Sequence, residues 1–344
     1  MTARSLSRRQ FMQQSIRGAG FYALGGAILA NAWMSAQAGG DSVSNPFAYD
    51  IDRMASTDPK LLTHEQVGSF GCPGSDARRV ATGLGDHLYI ATKNGVNVVD
   101  AQGNKVAEIA TTSPARCVAV AEDGTVYVGL RTHLEVFDTK GQSVATWEPP
   151  IRKTWFTGLS VGRNDVFAAD SANRVILRYD RSGKLIGRIG EKNHERNIPG
   201  LIVPSPYLDV KLGPDDLLRV NNPGRHCVHL FTPDGDLELS WGKPSAAIEG
   251  FCGCCIPIGL ALLPGGGCVT CEKGIPRVKV YSADRTLAGV VAGPEQFPEN
   301  GRAGQNSDRA DGTLGGLDAA VDAKGNIYIL DLVADNVRVM KPKT

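Results

Sequence analysis

From about His64 to its end the chain repeats one pattern, and that repetition limits the fold more than any other feature of the sequence. Each unit holds an apolar strand, a tight Gly/Asp turn, a second strand, a loop, a third strand rich in Val and Tyr or Phe, a second turn and a fourth strand. The first turn can be followed six times, at Gly85-Asp86, Asp123-Gly124, Asn164-Asp165, Asp215-Asp216, Gly265-Gly266-Gly267 and Lys324-Gly325-Asn326. Behind it come apolar triplets such as Leu88-Tyr89-Ile90, Val126-Tyr127-Val128 and Ile327-Tyr328-Ile329. The second turn runs from Asp100 to Gly103, Asp138 to Gly141, Asp180 to Gly183, Thr232 to Gly235 and Ser282 to Arg285, and the chain ends in the sixth unit. One unit per roughly 46 residues is the period of four-stranded propeller blades. The expected fold is therefore all-β, a six-bladed β-propeller. Its last unit lacks a fourth strand, and Glu65-Gln66-Val67-Gly68-Ser69-Phe70 has the character to supply it, so an N-terminal strand is expected to complete the last blade and close the ring. A β-sandwich array does not explain six equal units.

Composition agrees with short strands and many turns: 41 Gly and 19 Pro stand in 344 residues. Lys and Arg number 37 against 36 Asp and Glu, so the basic surplus that a dedicated nucleic-acid binder needs is missing.

The first 38 residues read as an address. Ser7-Arg8-Arg9-Gln10-Phe11-Met12 precedes a short Ala/Gly-rich apolar stretch from Gly18 to Met34, and Ala36-Gln37-Ala38 offers the small residues of a cleavage site. This resembles a twin-arginine export signal, which implies cleavage after Ala38, a periplasmic mature protein and no membrane span within it. That route carries chains already folded, often with a cofactor in place. Residues 39–63 form a polar lead-in, and residues 64–344 form the propeller.

Ala320-Val321-Asp322-Ala323-Lys324-Gly325-Asn326-Ile327-Tyr328-Ile329, with a third strand such as Asn173-Arg174-Val175-Ile176-Leu177-Arg178-Tyr179, resembles the blades of the NHL-repeat family. The resemblance covers nearly the whole mature chain, with units four and five departing from it most. It implies the propeller and names no function, because propellers serve many.

In such folds the loops from the fourth strand to the next blade, and from the second to the third strand, emerge on one face, where ligands usually bind. The longest connections, Gly190 to Pro206, Gly242 to Pro257 and Gly293 to Leu314, are all of that kind. One of them carries Phe251-Cys252-Gly253-Cys254-Cys255-Ile256-Pro257, and Cys268-Val269-Thr270-Cys271 follows, so five of the eight cysteines fall within 20 residues. By the blade reading Cys252, Cys254, Cys255 and Cys271 reach the same face, whereas Cys268 lies about 10 Å back along its strand on the other side of the sheet. Two readings compete. Thiolate ligation of copper or zinc, or of an iron–sulfur cluster, explains several sulfurs in one small volume. Disulfides suit an oxidising compartment, although Cys254 and Cys255 would each need another partner, since consecutive Cα atoms lie only about 3.8 Å apart. Free buried thiols are the third state.

Around this cluster, His226 in Asn221-Asn222-Pro223-Gly224-Arg225-His226 offers an imidazole, while Arg225, Lys273 and Arg277 bring positive charge that favours thiolate or an anionic substrate. Each reads equally as a solvated loop residue. His194 is a weaker candidate, Cys72 enters the first blade on the same face, and His64, His87, His133 and His229 have no comparable placement. Aligning the innermost strands places Arg79, Cys117, Gly158, Asp209, Gly259 and Asp318 at equivalent channel positions, where they would hold a cation or polar ligand, or plug the channel with their own Arg–Asp pairs. No nucleotide loop, nucleophile elbow, paired-histidine zinc motif or haem attachment motif is present. The peptidylglycine lyase, an NHL-type propeller, holds metal with channel histidines that this sequence lacks. The expected function is redox or electron-transfer chemistry at a cysteine-ligated centre, with a redox partner protein; the alternative is a non-catalytic platform for a protein or peptide, its loops stiffened by disulfides.

Overall fold

The computed structural model describes residues 56–74, 76–150, 153–298 and 316–343. The expected export signal, most of the expected lead-in and most of the connection after Gly293 lie outside these residues.

Among the described residues twenty-four strands form six antiparallel sheets of four. Blades one to five span residues 79–110, 117–147, 156–189, 210–241 and 259–292, and within each the strands pair in chain order. The sixth is built from Leu317–Val321, Ile327–Asp331 and Asn336–Pro342, with His64–Gly71 as its outermost strand, antiparallel to Asn336–Pro342. Each innermost strand touches those of the blades on either side, so the contacts run round a closed ring.

Sequence character tracks radial position. Second and third strands such as Leu88–Thr92, Gly95–Val99, Leu218–Asn222 and Cys227–Phe231 are buried at every residue, because both faces press on neighbouring blades. Outer strands such as Lys105–Ala110 and Leu237–Trp241 face solvent over much of their length. The core lies between blades: Trp147 of blade two stands 5.4 Å from Tyr127 and 5.7 Å from Tyr179 of blade three, ring centre to ring centre.

The Asp-x-x-Gly turns are closed by their own aspartates. The Asp138 carboxylate accepts from the backbone N–H groups of Lys140 and Gln142 at 2.9 and 2.8 Å, and its carbonyl accepts from Gly141 at 3.0 Å. Gly141 sits at φ 75°, a conformation that a side chain would strain. Among the described residues no helix is long and apolar enough to cross a membrane.

Candidate functional site

At the centre of the ring the guanidinium of Arg79 stands across the channel. It donates to Asp318 Oδ1 at 2.7 Å, to the Thr157 carbonyl at 2.9 Å and to the Ile258 carbonyl at 3.1 Å, and it lies 3.7 Å from Asp209 Oδ2. Both carboxylates also latch the next blade's inner strand, Asp318 through Val80 N–H and Asp209 through Leu260 N–H, each at 2.9 Å. Lys211 pairs with Asp209 at 2.9 Å, which balances two cations against two anions. Glycine is required beside this hub: a Cβ on Gly158 would lie 2.5 Å from Asp209 Oδ1, and one on Gly259 would lie 2.8 Å from Asp318 Oδ1. Burial works against the Arg79 charge, but Asp318 and Asp209 outweigh it and hold the guanidinium above its usual range. Burial pushes the Asp318 carboxyl up while Arg79 pulls it down. Burial likewise raises the Cys117 thiol to about 12, so it stays protonated beside the hub. Arg79, Asp209 and Asp318 thus meet at the channel and satisfy one another there.

Above the plug, residues that precede the inner strands of blades one to four shape the tunnel mouth. Arg78, Arg79, Arg116, Trp155, Thr157, Tyr207 and their neighbours enclose a cavity of about 30 Å³, room for little more than a water or the end of a larger group. Two cations rest on aromatic faces here: Arg131 Cζ is 4.4 Å from the centre of the Trp155 ring, and Lys273 Nζ is 4.4 Å from that of Tyr207. Neither is in an ion pair among the described residues. Trp155 and Tyr207 were not singled out by the sequence. A large aromatic just before an inner strand was the available signal.

The cysteine-bearing loop is fixed from below by blade five. Lys279, fully buried, donates to the Ile248 and Gly250 carbonyls at 2.9 and 2.7 Å and lies 2.6 Å from Glu272 Oε1. Phe251, 1 % exposed, anchors the loop against Trp241 and Tyr281. Beyond this anchor Cys252 is half-buried, Cys254 exposed and Cys255 buried. The sulfurs of Cys254 and Cys255 approach to 3.2 Å. Their mutual hydrogen bond is the main cause that raises the Cys254 thiol above its ordinary value, with Lys273 opposing it. Lys273 is lowered by burial and supported in its charge by Cys255 and Cys254, and it donates to Ser205 Oγ at 3.4 Å.

The four-thiol centre expected from the sequence is not assembled. Among the described residues no three His, Cys, Asp or Glu side chains gather as a metal-holding group. Cys271 is the reason on the strand side: paired with Gly259 across the sheet, it is fully buried, and the charges that act on its thiol are Asp318, Arg79 and Asp209 of the hub. Cys252, Cys254, Cys255 and Cys271 therefore share no centre, and an iron–sulfur cluster with four thiolate ligands does not fit them. Cys268 lies elsewhere, near Arg219, and burial pushes it up to about 12. No disulfide joins any of the eight cysteines.

Of the four surrounding residues, Lys273 alone acts on the paired thiols. Arg225 is exposed and bears on Cys227 and His229 instead. Arg277 is buried beside its cross-strand partner Glu272. His226 is half-buried at φ 56° in its turn and joins no ligand group. His229 is a core residue: its Nδ1 lies 2.5 Å from Ser240 Oγ, Asn222 Nδ2 donates to its Nε2 at 2.8 Å, and burial lowers its pKa to about 4.

No known family pattern and no curated protein matches the chain. Solved structures do. A streptogramin B lyase superposes with a TM-score of 0.54 at 12% identity, covering 80% of this chain and 97% of that one. Virginiamycin B lyase from Staphylococcus aureus gives 0.53 at 12% identity over 80% and 99% of the two chains. The Pan2 WD40 domain of Neurospora crassa gives 0.50 at 13% identity over 82% and 96%. At such identity the likeness shows the β-propeller fold alone.

Proposed function

We propose that this propeller carries out thiol redox chemistry on its tunnel-mouth face through Cys254 and Cys255, after export by the twin-arginine signal to the periplasm. The observation that carries the reading is the 3.2 Å separation of the two sulfurs, one exposed and one buried, in a loop clasped to the sheet. Two thiols so placed form a two-electron couple. Cys254 as thiolate attacks a sulfur of an acceptor disulfide and one acceptor thiolate leaves; Cys255 as thiolate then attacks Cys254 Sγ and the second acceptor thiolate leaves. The pair becomes a disulfide, its two protons pass to the departing thiolates or to water, and the acceptor gains two electrons. The Lys273 charge acts on both sulfurs in favour of the thiolate form, against the mutual hydrogen bond and burial that raise the Cys254 thiol. Adjacent residues hold their Cα atoms about 3.8 Å apart, short of the usual disulfide span, so the closed ring is strained and readily reopened by a redox partner. A copper or zinc ion would find two of its donors in the same pair.

The test is to reduce the purified chain, expose it to a low-molecular-weight disulfide, and count thiols while mapping cross-links by mass spectrometry. Loss of two thiols with a Cys254–Cys255 link, and no such loss in Cys254→Ser, is expected. Unchanged thiols, or links confined to other cysteines, would sink the reading. Metal analysis on the same sample decides whether copper or zinc occupies the pair.

A further inference from the structure

Cys254 and Cys255 hold their sulfurs 3.2 Å apart, one residue exposed and the other buried. That span selects among the centres two thiols can share. A disulfide needs its sulfurs at about 2.05 Å. Tetrahedral zinc, with sulfur bonds of about 2.3 Å, sets them about 3.8 Å apart, and a linear copper(I) ion sets them about two bond lengths apart. Two bonds of about 2.3 Å that meet near a right angle span about 3.2 Å. Near-right angles belong to trivalent centres of the heavier p-block, which bond through p orbitals and keep a lone pair. The donor count agrees. Zinc takes four ligands, and among the described residues no three His, Cys, Asp or Glu side chains gather, whereas a trivalent centre takes two sulfurs and fills its third bond with a hydroxyl or carbon of its own. The loop is also set before any ligand arrives: Lys279 bonds its carbonyls and Phe251 anchors it, so little ordering is left to be done on binding.

We infer that the Cys254–Cys255 pair is a chelating site for trivalent arsenic, as arsenite or as an aryl arsenic(III) oxide. This rests on the same reduced pair as the redox reading, but on no electron transfer. With arsenite, the Cys254 sulfur, reached from solvent, displaces one hydroxide, which leaves as water with the thiol proton; the Cys255 sulfur displaces a second in the same way. Two As–O and two S–H bonds give way to two As–S bonds and the O–H bonds of two waters, arsenic stays trivalent, and one hydroxyl remains on it. The second bond closes within one molecule, which strengthens the whole by roughly a hundredfold or more over a single thiol.

The test adds phenylarsine oxide to the reduced full chain and reads intact mass and remaining thiols. One phenylarsenic unit per chain with loss of two thiols is expected, bound roughly a hundredfold or more tighter than in Cys254→Ser or Cys255→Ser, where one sulfur of the pair is left. A small dithiol should strip the arsenic, and a monothiol at the same concentration should not. X-ray absorption on the parent adduct, which needs no variant, should count two sulfurs on each arsenic. One sulfur per arsenic, equal affinity in parent and variants, or displacement by equimolar zinc would overturn the inference. The redox reading is judged apart, by the low-molecular-weight disulfide. A Cys254–Cys255 link without tight arsenic binding refutes the arsenic site and leaves the redox role standing; tight arsenic binding without such a link does the reverse.

Discussion

Arg79 gathers partners from blades three, four, five and six while belonging to blade one, so a single side chain ties most of the ring. Removing one member of a buried ionic group leaves the others uncompensated and costs about 3–5 kcal/mol. Arg79→Met should therefore lower the chemical unfolding free energy by about that amount, and adding Asp318→Asn should return part of it. An unchanged unfolding midpoint would show that the hub is not what holds the inner strands. His229 gives a pH-dependent counterpart. Its folded pKa of about 4 lies below the ordinary 6.5, so the unfolded chain takes up the proton first. Stability is full above pH 6.5 and falls as the pH drops towards 4, by at most about 3 kcal/mol. Unfolding midpoints between pH 7.5 and pH 4, compared with those of His229→Gln, should show the slope in the parent and a smaller one in the variant. At this scale the hub was legible, because charged residues at matching inner-strand positions have no solvent to face. Cys271 was not. Which way it points depends on the register after the Gly265-Gly266-Gly267 turn, and a sequence leaves that loose.

The connection between blades four and five shows how an element is held by a residue from the element below. Lys279 occupies the third strand of blade five, in Arg277-Val278-Lys279-Val280-Tyr281, a strand buried at every residue, where an ammonium has no bulk water to meet. It lies under the connection, whose carbonyls replace water for its ammonium. The length of the connection and its cysteines were plain in the sequence; the clasp was not, because nothing local distinguishes a buried lysine from a solvated one. Lys279→Met combined with Glu272→Gln, which neutralises the carboxylate the lysine would otherwise leave unpaired, should keep the blade folded and free the loop. A glutamate-specific protease should then cut after Glu249 roughly ten times faster than in the parent, a change that about 1.4 kcal/mol of local opening produces. Equal cleavage rates would mean that Phe251 packing alone fixes the loop, with the 3.2 Å sulfur contact independent of Lys279.

For the whole molecule the decisive pairing joins residues far apart in the chain. His64–Gly71 lies along Asn336–Pro342, and Thr63 N–H bonds the Val290 carbonyl of blade five at 2.9 Å. A chain starting at Cys72 loses this outermost strand and exposes the edge of Asn336–Pro342. It should melt roughly 10 °C lower and self-associate through the bare edge. Equal melting would show that the last blade is stable with three strands. The count of blades was readable from the repeated turns, since each marks a physical hairpin. The arrangement at the mouth was not, because it is made by residues that precede four different strands and meet only once the ring is curved.

The guanidinium lodged across the axis stops the propeller's inner channel like the floor of a bowl. Whatever docks on the underside has no straight passage to the sulfurs above, and any message between the two surfaces must travel through the stiff walls. The rim with its paired thiols is then a private compartment, answerable only to what arrives from its own side.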